Sequence, residues 1–299
     1  MDLRGANMIR MVGRQLTLAF LTASTALFAP PPIYSKKNLN NPDKIGHRKV
    51  AHRSVISPQK ESAIGKQYAK QFESTIQLVQ DAVVQHYVAM VAENVVRNSD
   101  LKDSVTVKVV KSRDVDSLSL PGGFIYLKLG LLISAQNDDA IAGAIAHQVA
   151  HAAARHWASD GGHPSMVPIT MACRGFMSAP RAPSSAPVPP LIRDAIEAAY
   201  LGGMPIAFLK FLREDELEAD YLGLQYMYKA GYAPSAYVAL LRELASRQAG
   251  APSLPDSLQD IPPVSQRIEQ AEKEIRTILP NSPPPTKPGP EFMLMKSHL

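Results

Sequence analysis

The segment from Asn137 to Trp157 constrains this chain most. Asn137-Asp138-Asp139 opens it with a side chain able to accept from free backbone N–H groups and with carboxylates where a helix dipole favours them. Ala140, Ala142, Ala144, Ala146, Ala150, Ala152, Ala153 and Ala154 follow, and alanine has the highest helix propensity. A helix to about Trp157 is predicted, thin enough for neighbours to approach closely. Within it His147 and His151 stand four apart, one above the other on one face, the geometry that lets two imidazoles reach one Zn²⁺.

The chain has 299 residues, 45% of them apolar, enough for a full core in one domain with tails. Arg4, Arg10 and Arg14 precede an apolar run from Leu16 to Ala29, shorter than the roughly 20 residues of a spanning helix. Residues 1–29 read as a signal peptide or N-terminal anchor. Ser24-Thr25-Ala26 offers small residues for cleavage, and retention through residues 10–29 is the alternative. Either way the protein is exported, to the periplasm or cell envelope. Cys173 is the single cysteine and forms no intramolecular disulfide. The net charge of +5 is concentrated between residues 36 and 60, where Lys36, Lys37, Lys44, Arg48, Lys49, Arg53 and Lys60 lie. No aromatic interleaving accompanies them, so residues 30–60 read as a solvated basic linker, compatible with peripheral membrane association and not with a nucleic-acid site.

Apolar residues recur at helical spacing from Glu61 to Arg97, as one long helix or two end to end. Val105 to Val110 alternates as a strand, and a second strand, Phe124 to Leu127, follows Pro121-Gly122-Gly123. Residues 158–190 form a Pro-rich loop, helices resume at 191–212, 214–230 and 235–247, and the last helix spans 264–279. The folded domain is therefore 61–279, followed by a disordered Pro-rich tail, 280–299.

Eight histidines in this length make one His-x-x-x-His pair a weak signal. Glu216-Leu217-Glu218-Ala219-Asp220, on a separate helix, strengthens it. Glu216 and Asp220 share a face, so one can ligate while the other orients a histidine through its free N–H. Two histidines and one carboxylate leave a fourth position for water. The remaining histidines carry no signal: His47 and His52 fall in the linker, His86 on the first helix, His163 in the loop and His298 in the tail. His156, five residues from His151, rotates off the metal face of an unbroken helix.

Four segments together resemble the HtpX/CAAX-prenyl-endopeptidase/BepA-like zinc metallopeptidase family. They are Leu120-Pro121-Gly122-Gly123-Phe124-Ile125-Tyr126, Gly130-Leu131-Leu132, Ala146-His147-Gln148-Val149-Ala150-His151 with Arg155-His156, and Arg213-Glu214-Asp215-Glu216-Leu217-Glu218-Ala219-Asp220 with Gly223. The resemblance implies an α+β, mainly helical zincin of gluzincin type, with a small sheet whose edge strand borders the zinc cleft. It implies one Zn²⁺ per chain on His147, His151 and Glu216, with Asp220 behind them. It further implies that the Pro-Gly-Gly strand, at Gly122, Gly123 and Phe124, binds unfolded or extended polypeptide by strand addition. The implied activity is peptide-bond hydrolysis of exported or envelope proteins, with association to an envelope complex.

Two positions depart from that pattern. The family carries glutamate after the first histidine, where it moves protons between the metal-bound water and the leaving amine. Here Gln148 stands in that place, and an amide lacks the useful pKa, at an expected loss of about 10²- to 10⁴-fold. The family's His-Pro-Pro run is Ile261-Pro262-Pro263 here. No replacement base is evident. Asp138 and Asp139 lie about 13 Å away along the helix, Glu218 points off the Glu216–Asp220 face, and Asp260 is the one loose candidate. The rival function is a non-catalytic zinc-binding pseudopeptidase that serves as a peptide-binding or chaperone module.

Overall fold

A computed structural model describes residues 39–54, 56–159, 206–248 and 262–299, with side chains undescribed at 159, 206–213 and 247–248. The elements below belong to the compact unit Asn41–Leu299. The segment 1–29, Cys173, His163, most of the 158–190 loop, Asp260 and Ile261 lie outside the described residues, as does the side chain of Arg213.

The helical run after residue 57 is two helices. Ser57 Oγ accepts from Lys60 N–H to start α1, Pro58–Glu73, and Asp81 accepts from Val83 and Val84 N–H to start α2, Ala82–Arg97. Between them Ser74 and Thr75 turn their hydroxyls onto the carbonyls of Gln71 and Phe72, local bonds that compete with helix continuation. The chain then pairs Leu78 with Val110.

Strands β1 (Thr106–Val110), β2 (Ser117–Leu120) and β3 (Phe124–Lys128) form a mixed sheet of order β1-β3-β2. β3 is central, parallel to β1 and antiparallel to β2. The β2–β3 turn requires glycine: Gly122 and Gly123 have φ of 74° and 82°. α1 lies across this turn and against the sheet, where Ala69, Val110, Leu120 and Tyr126 form a buried cluster joined by Phe72 and Phe124. Glu73 at the end of α1 accepts from Lys108 Nζ at 2.6 Å and Tyr126 Oη at 2.7 Å.

After α3, Leu129–Ser134, comes the central helix α4, Asp138–Ala154, capped by Asn137, whose side chain accepts from Ala140 N–H. Nearly every residue of α4 is buried. It packs against α2, against α6 (Ile206–Lys229), against α7 (Pro234–Gln248), and along β2 and β3. Gly223 of α6 permits a close approach to the histidine turn, because a Cβ there would stand 3.1 Å from His147 N. α4 stops three residues earlier than the alanine run suggests. Arg155 takes the left-handed conformation, φ 57° and ψ 40°, and its guanidinium is held by Glu61 Oε2 at 2.8 Å and Ile56 O at 2.6 Å. A new short helix, α5, His156–Ser159, begins there.

Both ends of the domain extend further than the sequence suggests. Arg48, read as part of a solvated linker, lies against Asp100 Oδ2 at 2.6 Å and Gln225 Oε1 at 2.6 Å, while Val50 and Ile56 are buried. The tail after α8, Val264–Ile278, does not stand free either. Thr286 N and Oγ1 donate to Asp139 Oδ2 at 2.7 and 2.9 Å, and Gly289 N donates to Asp138 Oδ2. It ends in α9, Pro290–Ser297, with Phe292 and Met295 buried. The prolines hide this packing from a compositional reading, because the apolar anchors come only after them. Among the described residues, no helix is long and apolar enough to cross a membrane.

Candidate metal centre

α4 and α6 bring His147, His151 and Glu216 to one buried point. His147 Nε2 and His151 Nε2 are 3.1 Å apart, and each lies 3.3 Å from a different oxygen of Glu216. Bonds of 2.0–2.1 Å to a tetrahedral Zn²⁺ place neighbouring ligand atoms about 3.3 Å apart. The two imidazole nitrogens stand close to that spacing and each has a Glu216 oxygen at it, so the residues fit the ion.

Asp220 stands behind His147. Its Oδ1 is 2.9 Å from His147 Nδ1, which directs the Nδ1 proton to the carboxylate and leaves the Nε2 lone pair facing the centre. Arg267 of α8 donates to both oxygens of Asp220 at 2.7 Å, and Tyr237 of α7 donates to Oδ1 at 2.6 Å. Arg267 also donates to Tyr237 Oη at 2.8 Å, closing the network. Burial would raise the Asp220 carboxyl, but the Arg267 charge and the bonds from Arg267 and His147 hold it well below the usual carboxylate range. Glu216 is likewise lowered, against its burial, by the two histidines.

Gln148 is buried one position along from His147 and points its amide nitrogen at β2, 3.0 Å from Ser117 Oγ and 3.3 Å from Ser117 O. Gln148 is thus tied to the edge strand. Gly122, Gly123 and Phe124 lie elsewhere than expected. A Cβ on Gly122 would meet Ser62 Cα of α1 at 2.6 Å, and one on Gly123 would meet Ser104 O at 3.0 Å. Phe124 pairs on both sides, with Thr106 and Leu120, and its ring joins the α1 cluster. A strand with two partners cannot take a third, so the edge beside the centre is β2. The Pro-Gly-Gly signature thus forms the turn between edge strand β2 and central strand β3, and is not itself an edge.

Other carboxylates are engaged. Asp138 accepts from Tyr87 Oη at 2.7 Å as well as from the C-terminal segment. Glu218 points off the Glu216–Asp220 face, as its position on the helix predicts, onto His52 Nε2 at 2.7 Å and His156 Nε2 at 3.2 Å. Burial opposes its ionisation, yet bonds from His156 and His52 bring its pKa down to about 2. His52 and His156, without a role by spacing, are therefore close to the centre: His156 Nδ1 is 2.9 Å from His151 Nδ1. The reason is the turn at Arg155, which breaks the helix that would have carried His156 away. Tyr237 carried no readable motif. Arg267 closes the run from Asp260 that stands in place of the family's His-Pro-Pro segment, without a role assigned there, and its i, i+4, i+7 relation to Ala271 and Glu274 marks the buried face of α8.

A mainly helical domain with a small mixed sheet, in which two helices converge two histidines and a glutamate on one buried point, has the architecture of a metallopeptidase. The chain belongs to peptidase family M48, whose pattern matches residues 82–275. It is similar to the beta-barrel assembly-enhancing protease of Yersinia pestis, 22% identical over 82% of this chain and 49% of the relative, and to that of Escherichia coli, 21% identical over 76% and 46%. It is also similar to the mitochondrial metalloendopeptidase OMA1 of Schizosaccharomyces pombe, 28% identical over 50% of this chain and 41% of the relative. The chain spans about half the length of these curated relatives.

Proposed function

We propose that this protein binds one Zn²⁺ on His147, His151 and Glu216 and engages extended polypeptide along β2, with hydrolysis suppressed by Gln148. The observation that carries the reading is the pairing of a converged His-His-Glu donor set, with contacts of 3.1 to 3.3 Å, with an amide bonded to the edge strand where a carboxylate would move protons. Zinc there would supply a Lewis acid that polarises a carbonyl and acidifies bound water. The protein's own part is clear from its residues. Asp220, Arg267 and Tyr237 hold His147 in the ligating tautomer, and Gln148 donates to Ser117 but has no proton to exchange at neutral pH. β2 has one strand neighbour among the described residues, so its outer edge suits strand addition by an unfolded chain. Relatives named for beta-barrel assembly support an exported protein acting on envelope polypeptides.

The test is hydrolysis of an unfolded protein by the zinc-loaded wild type beside Gln148→Glu, with His147→Ala as blank. Gln148→Glu should cut at least about 10²-fold faster than wild type, the size of a proton-transfer contribution. Wild-type cutting equal to Gln148→Glu would show that another group moves the proton, and the protein would then be an ordinary peptidase.

A further inference from the structure

Behind the metal centre, three parts of the fold that the zinc reading does not use come together. His52 precedes α1, His156 opens α5, and Glu218 sits on α6. His52 Nε2 and His156 Nε2 both point at Glu218 Oε2, at 2.7 and 3.2 Å, and His156 Nδ1 faces His151 Nδ1 at 2.9 Å. The backbone N–H of His52 also donates to Ala154 O at 2.9 Å, capping the end of α4. We propose that His156, anchored by Glu218 and His52, is the positioning residue that fixes the tautomer and ring orientation of His151. The inference rests on the zinc reading above, since it concerns what holds one of the proposed ligands.

Proton counting carries the argument. A neutral His151 that presents its Nε2 lone pair to the centre has its single ring proton on Nδ1. That proton points at His156 Nδ1, which must then accept. The single proton of a neutral His156 is therefore on Nε2, aimed at Glu218 Oε2, an ionised carboxylate that can accept it. His52 brings a second donor to the same oxygen. Each link has one donor and one acceptor, and the chain runs from the centre to a negative charge. It is the counterpart, on His151, of the Asp220 bond to His147, with an imidazole interposed because Glu218 lies on the other face of α6. The left-handed residue Arg155 makes the geometry possible by turning His156 back onto His151.

The same three residues offer donor atoms within 4.8 Å of one another, and Glu218 Oε1 is buried without a hydrogen-bond partner, so a second cation is the rival. It conflicts with the proton count. A metal on His156 Nε2 would displace the proton held there while Nδ1 is still accepting from His151, which demands an imidazolate or a broken 2.9 Å contact.

The experiment measures zinc affinity of the full chain by chelator competition, zinc equivalents per chain, and the Co²⁺ ligand-field spectrum. His156→Phe, which keeps a ring but has no polar atom, should bind zinc about 10- to 100-fold more weakly than wild type, the usual cost of losing a partner behind a ligand. His156→Gln should recover most of that loss, because its amide can accept from His151 and donate to Glu218, and it should restore the wild-type Co²⁺ bands. His52→Ala, at the more exposed end of the chain, should fold normally and show a smaller loss in the same direction. Wild-type affinity in His156→Phe, or in His52→Ala should His156→Phe not fold, would overturn the proposal. So would two zinc equivalents in wild type falling to one in His52→Ala, which would establish the second cation. A wild type whose zinc binding is untouched by His147→Ala would instead remove the zinc reading itself.

Discussion

Asp220 concentrates opposing forces in a few ångströms. It is buried, it faces His147, and its charge is met by two bonds from Arg267 and one from Tyr237. Removing one partner of a buried ion pair costs about 3–5 kcal/mol, because it leaves the other charge uncompensated. Arg267→Met should therefore destabilise the metal-free protein by about 3–5 kcal/mol in urea titration. Adding Asp220→Asn should return part of that loss, since the stranded charge is gone. If Arg267→Met unfolds at the wild-type urea midpoint, Arg267 does not hold Asp220 in solution. Among single residues, the one-face pairs His147 with His151 and Glu216 with Asp220 were legible in helical spacing, while their ligand and supporting roles came only as what the family resemblance implies. Arg267 and Tyr237 were not, because their partner arrives from a distant helix and nothing in their own segments marks a buried charge or hydroxyl.

At the scale of elements, local signals located starts better than ends. Asn137 caps α4 as its chemistry dictates, whereas Asp81, which opens α2, lay unread inside the run from Glu61 to Arg97. The end of α4 was misplaced because Arg155 is left-handed without being glycine, and it is held there by Glu61 and Ile56, which lie far away in sequence. That tertiary override also hid His156. The packing of α1 on the β2–β3 turn gives an element-scale test whose sign runs against propensity. In an exposed helix, Gly to Ala gains about 1 kcal/mol. In α1 a Cβ on Gly65 would fall 1.7 Å from Pro121 O, a backbone atom that cannot swing aside. Gly65→Ala should destabilise by about 1–3 kcal/mol, the range for overpacking, and a thermal melt at or above the wild-type midpoint would show that α1 does not lie on the turn.

Across the whole molecule, the C-terminal segment is fastened to the start of the helix that bears the histidines. Asp138 and Asp139 read from sequence as dipole-favouring residues of the first turn, and they also bind Tyr87, Ala233 N, Thr286 and Gly289. α9 adds buried Phe292 and Met295, with Lys296 Nζ on the carbonyl of Ile133 at 2.5 Å. Fully burying two such side chains is worth about 3–6 kcal/mol, and truncation after Leu279 would also strip the Thr286 donors from a carboxylate at 0% exposure, Asp139. The truncated chain should lose at least about 3 kcal/mol in urea and expose α2 and α3 to faster amide exchange. Because His147 lies about two turns beyond Asp139 on α4, zinc affinity should fall far less than stability does. Equal stability of the truncated and full chains would return residues 280–299 to the free tail that their prolines suggest. A loss of zinc binding in proportion to stability would mean instead that the domain and its centre fold as one unit that includes α9.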